Sequence, residues 1–204
     1  MNRSNIAVMM CLAGFGSSLL FGCASTQTAQ FRQMSAADHD RVGSSLPADA
    51  PAASEHLNAA RELRDAERQA CADVSTADRD AGPFANRDRI ERVEVLRDRT
   101  WAKGMIQPIG VAVDLRAEPG ITEQWLSRVL ECHLAHQAVL GRAAFDWSPL
   151  SQYGAHVAVG STATGFRVTI TTSDIDIARS VIAKSEALVG VPSGSPTNVA
   201  SNHL

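Results

Sequence analysis

The chain has 204 residues, a formal net charge of −3 and 45% hydrophobic residues. That apolar share suffices for a buried core and excludes a chain too polar to fold. Its 19 Lys and Arg are balanced by 22 Asp and Glu with no dense basic patch, so nucleic acid is not an expected partner.

Asn2-Arg3 makes a short basic start, and Ile6 to Phe21 follows as about 16 apolar or small residues without charge. This is the layout of a secretory leader, and it falls short of the roughly 20 residues a membrane-spanning helix needs. Leu20-Phe21-Gly22-Cys23 closes the run with a large apolar residue, a small one and a cysteine. The segment resembles the lipobox leader of bacterial lipoprotein precursors. The resemblance implies cleavage after Gly22, diacylation of the Cys23 sulfur with palmitate-type chains and acylation of the new amine. Three acyl chains would anchor the protein firmly in a membrane, since two lipid signals already suffice. Ala24, rather than Asp, follows the cysteine, which by the same resemblance implies the outer membrane, on its periplasmic side. An ordinary secretory signal cut near Cys23-Ala24-Ser25 and an uncleaved anchor are the alternative readings. Cys11 lies within the leader and is expected to leave with it.

From Ala24 to about Ser54 the chain is rich in Ala, Ser, Thr, Gln and Asp, with Pro47 and Pro51 and little apolar periodicity. It reads as a flexible tether in which Asp38-His39-Asp40 is solvent-exposed rather than metal-bound. Ser54 to Cys71 predicts an amphipathic helix, with Leu57, Ala60, Leu63, Ala66 and Ala70 near one side and Arg61, Glu62, Arg64, Asp65 and Arg68 on the other. Asp73 to Arg89, with Gly82-Pro83, reads as loop. Arg92 to Leu96 is a weakly alternating strand. In the Arg-rich stretch Arg87 to Arg99, Asp88, Glu91, Glu94 and Asp98 largely cancel the charge. Val111, Val113 and Leu115 alternate with Ala112, Asp114 and Arg116 as a half-buried strand.

A strong helix is predicted from Glu123 to Leu140, with Thr122 as N-cap, Ile121 and Leu126 placed as a hydrophobic staple, and Gly141 as its stop. Arg142 to Gly154 is irregular, with Trp147, Pro149 and Tyr153. Two short strands follow, His156 to Val159 and Phe166 to Thr172, joined by a turn over Gly160 to Gly165. Ser173 then reads as the cap of a last helix through Leu188, striped by Ile175, Ala178, Val181, Ile182 and Leu188. Strand pairs separated by helices predict an α+β fold, a two-layer sandwich with a small, mostly antiparallel sheet and helices packed on one face. The expected organisation is a leader over 1–22, a lipidated tether over 23–54, the α/β domain over 55–190 and a disordered tail over 191–204. Ala70-Cys71-Ala72 and Leu126 to Leu134, with its Cys132-His133 pair, resemble uncharacterised lipoproteins of proteobacteria, a resemblance that implies no activity.

Cys71 and Cys132 are the cysteines left in the body once the leader and Cys23 are set aside. An oxidising compartment favours a bridge between them; the alternative is two small buried hydrophobes. No Cys-x-x-Cys motif points to redox catalysis. On the central helix, His133, His136 and Cys132 project within about 100° of one another, beside Trp125, Val129 and Leu140. Two histidines at i and i+3 can share a metal ion with a thiolate as a third ligand, or they can simply bond backbone carbonyls in the core. His56 and His156 are not placed by the sequence to join them. A Gly-x-Ser-x-Gly elbow and a His-Glu-x-x-His helix are both missing, and Phe166-Arg167 follows Gly160 to Gly165 where a phosphate loop needs Lys and Ser or Thr. Asp174 and Asp176 suit a helix start. The expected function is therefore a non-catalytic binding or assembly module without a cofactor, anchored to the membrane by its N-terminal lipid and facing an envelope protein partner. The alternative is a metal-binding or metal-sensing envelope protein built on His133 and His136.

Overall fold

A computed structural model describes residues 30–84, 86–99 and 106–190. The leader, the lipidation of Cys23 and the tail 191–204 lie outside the described residues. Residues 30–33 are helical and belong to an N-terminal unit, Met1–Gln33; the second unit opens at Met34 and carries the elements that follow.

Four strands form one antiparallel sheet: β1 (Ile90–Asp98), β2 (Gln107–Arg116), β3 (His156–Ser161) and β4 (Gly165–Thr171), in the order β1-β2-β4-β3. Alternation decides the faces. Val111, Val113 and Leu115 of β2 lie in register with Ile170, Val168 and Phe166 of β4, and all six are buried. The residues between them, Asp114, Arg167 and Thr169 among them, point to the other face. There Asp114 bridges Arg92 at 2.9 Å and Arg167 at 2.7 Å, and the Arg167 hydrogen bond, ahead of the Arg92 one, holds its carboxyl below the usual range. The expected charge cancellation around Arg92 and Glu94 is thus a cross-strand network on the open face. At Gly110, φ is +147° and a Cβ would stand 1.9 Å from the Ile170 carbonyl oxygen, so β2 approaches β4 there as only glycine allows.

Two helices cover the apolar face. α4 (Glu123–Leu140) lies against β3, with Leu126 and Leu130 in the core, and α5 (Ile175–Gly190) lies against β2 and β1, with Val181 and Leu188 in the core. Thr122 Oγ1 accepts from Trp125 N at 3.1 Å and Gly141 ends α4 at φ +95°, as their residue types predict. The cap of α5 is one residue later than expected: Asp174 Oδ1, not the Ser173 hydroxyl, accepts from Asp176 N and Ile177 N at 2.9 and 3.1 Å. The fold is α+β, with helices packed against the antiparallel sheet.

Further helices extend this arrangement on the far side of α4. α2 (Pro51–Ala70) packs on α4, α1 (Ala36–Ser45) packs on α2, and α3 (Thr76–Ala81) also packs on α4. Two expectations are corrected here. The stretch assigned to a loose tether contains α1 and the start of α2, so positions 36–45 and 51–54 are helical where a flexible linker was expected. The residues α1 buries are Ala36, His39 and Gly43, and a Cβ on Gly43 would sit 2.9 Å from Leu57 Cγ. Close approach of small residues replaces the apolar stripe that periodicity looks for. Ser35 and Asp38 close a capping box at the start of α1, and Arg64 of α2 pairs with Asp40. The second correction is α3, inside the segment read as loop. Ser75 Oγ accepts from Asp78 N at 3.1 Å and starts this short helix in spite of its polar composition.

Candidate functional site

The residues singled out on α4 meet the two helices that lie on it. Cys132 is fully buried and bonded to Cys71 at the end of α2, with the Cα atoms 4.7 Å apart. A disulfide sulfur is not a thiolate, so Cys132 is not available as the third metal ligand. The bridge ties α2 to the central helix across a separation of 61 residues.

His133 is also fully buried. Its Nδ1–H donates to the Arg79 carbonyl of α3 at 2.8 Å, which leaves Nε2 as the bare nitrogen of a neutral ring. Phe145 meets the ring edge-on at 5.1 Å and Trp147 lies at 6.2 Å. Gly82, at φ +65°, passes so close that a Cβ there would fall 2.8 Å from the ring. Burial, the largest cause, pushes the His133 pKa below its ordinary value, and the neighbouring His136 acts in the same direction.

His136, three residues on, faces a different environment. Its Nδ1 lies 2.5 Å from Glu67 Oε1 of α2 and its Nε2 lies 3.3 Å from Asp80 Oδ1 of α3. The ring therefore spans two carboxylates, one from each helix packed on α4. Among the described residues no group of three or more His, Cys, Asp or Glu side chains is placed to hold a metal ion. Cys132, His133 and His136 each join α4 to a neighbouring element, and His133 and His136 do so with different protein partners.

The other singled-out residues lie apart from this cluster. His39 was expected to be exposed with Asp38 and Asp40; it is buried, and its Nδ1 is 2.8 Å from Nδ1 of His56, one ring donating to the other. Asp38 accepts from Ser35, the main cause of its lowered pKa. His156 is exposed at the start of β3, and Gly160 to Gly165 is the β3–β4 connection. Glu67 and Asp80 carried no signal in the sequence, because their meeting with His136 depends on where α2 and α3 dock. A polar hollow of about 320 Å³ at one end of the sheet is bounded by Asn86, Asp88, Arg89, Arg116 and Glu118. Its cations are already engaged: Arg89 Nε lies 3.0 Å from Glu118 Oε2, and Arg116 donates to the Asp88 carbonyl at 2.9 Å.

Comparison with protein families, characterised proteins and solved structures finds no match to this chain.

Proposed function

We propose that this protein is a lipid-anchored module of the bacterial cell envelope, non-catalytic, that binds or assembles with an envelope protein. The observation that supports the reading best is the Cys71–Cys132 bridge. Such a bridge persists in an oxidising compartment and is rare where thiols are kept reduced, so it agrees with the export that the leader and Cys23 imply. The helices α1 to α3 have a matching role: they brace the side of α4 away from the sheet, as a scaffold requires. His133 and His136 act within this reading as fasteners. The sheet and its edges are left as the surface for contact.

The test is metabolic labelling of a bacterium expressing the full chain with an alkyne analogue of palmitate, followed by membrane fractionation. The wild-type chain takes up label and sediments with membranes; Cys23→Ala takes up none and does not mature. Label-free wild-type chain would overturn the lipid anchor, and wild-type chain retained in the cytoplasm with its leader uncut would overturn the assignment to the envelope.

A further inference from the structure

The two edges of the sheet differ. β1 is irregular at both ends, with register shifts between Ile90 and Arg92 and between Leu96 and Arg97, and it carries Glu91, Arg92, Glu94, Arg97 and Asp98. Bulges and charges of this kind block the pairing of an edge with another strand. β3 has neither. Between Asp146 and Arg167 the sequence contains no Asp, Glu, Lys or Arg.

The hydrogen-bond phase of β3 follows from its hairpin. Thr162 N donates to the Gly165 carbonyl at 2.9 Å, so the pairs Gly160–Arg167 and Ala158–Thr169 also bond inward, two residues apart. Val157, Val159 and Ser161 then direct N–H and C=O away from β4. Ser161 confirms the phase, since its N–H is taken from outside by Glu123 Oε2 of α4 at 2.9 Å. That contact closes one end of the edge. The open part is Val157 and Val159, whose outward groups meet no partner among the described residues, centred on Ala158.

We infer that the β3 edge pairs with the β3 edge of a second copy of this chain, antiparallel about a twofold axis at Ala158. The stretch is its own complement. Val157 of one copy faces Val159 of the other, and the two such pairs exchange two bonds each, about four in all. On the core-side face this sets β-branched valines side by side, a favourable cross-strand pair. On the open face, His156 of each copy comes opposite Gly160 of the other. His156 is exposed, and a Cβ on Gly160 would meet nothing within 4 Å, so there is space for the imidazole. Ala158 meets its own counterpart on the axis with no side chain large enough to obstruct. A dimer formed this way has a continuous antiparallel sheet and β1 at both outer edges. The inference stands independently of the lipid anchor.

The axis makes a sharp test. Ala158 is exposed and directs its side chain to the open face, so a charge there leaves the β4 ladder in place. Full chains with two different C-terminal tags are co-expressed, extracted in mild detergent and captured through one tag. The second wild-type copy is expected in the capture. With Ala158→Lys in both copies, two ammonium groups stand opposite each other and co-capture falls several-fold. With Ala158→Lys in one copy and Ala158→Glu in the other, it returns. Wild-type copies that do not co-purify, lysine copies that co-purify as well as wild type, or a Lys–Glu mixture that fails to recover would each overturn the pairing.

Discussion

Removing the bridge from both ends, as Cys71→Ala with Cys132→Ala, tests how far the helices on α4 depend on it. The cysteines are 61 residues apart. Closing a loop of that length lowers the entropy of the unfolded chain by about 14 cal/mol/K, which is ~4 kcal/mol at 25 °C. The double variant also leaves two small apolar side chains where the bridge was, a minor change beside the entropic one. For a domain of this size, ~4 kcal/mol corresponds to a fall in Tm of roughly 8–16 °C. The assay is urea unfolding, followed by circular dichroism, of a chain beginning at Ala24, oxidised, against the double variant. A second observable separates the mechanism: the cross-link keeps the unfolded chain compact, so its removal should raise the slope m as well as lower the midpoint. A loss below about 1 kcal/mol with m unchanged would refute the reasoning, since the bridge would then not restrict the unfolded chain.

Three other outcomes follow from the same region and from the open face of the sheet. Gly82→Ala forces an L residue to φ +65° and sets its Cβ against His133, so a loss of about 2 kcal/mol is expected in the same urea assay; a neutral result would mean that the chain turn and the ring are not in contact. His133 has a folded pKa depressed by burial, so the unfolded chain binds its proton first, and stability should fall as pH drops below about 6.5 towards the folded value. His133→Asn keeps a donor for the Arg79 carbonyl but cannot titrate; it should be weaker at neutral pH yet show a flatter stability profile between pH 7 and 5, and an unchanged slope would assign that pH dependence elsewhere. Asp114 also has a depressed folded pKa, through Arg167 and Arg92, so its contribution is present above about pH 4 and lost as pH falls through the folded value. Because Arg92 is largely exposed, Asp114→Asn should cost only about 1 kcal/mol at neutral pH and less in 1 M salt, and a loss insensitive to salt would count against an ionic network.

What could be read from the sequence was whatever is local or periodic. The alternation of Val111, Val113 and Leu115, the cap at Thr122 and the stop at Gly141 each need only near neighbours, and each has its counterpart in β2 and α4. α1 was missed because Gly43 and Ala53 pack by closeness, which leaves no apolar stripe to count. α3 was missed because six residues started by a single serine cap produce no period at all. The cysteine pair could be anticipated from compartment and count, whereas its chemical neighbourhood could not. His133 and His136 share a helix face, and on that ground alone they read equally as metal ligands or as core residues. The difference is made by Arg79, Glu67 and Asp80, which reach the two rings only after α2 and α3 have docked on α4. Docking in turn is what the Cys71–Cys132 bridge secures. The identity of the cluster is therefore a property of the tertiary contact: separate α2 from α4, and the same two histidines regain the ambiguity they have in the sequence.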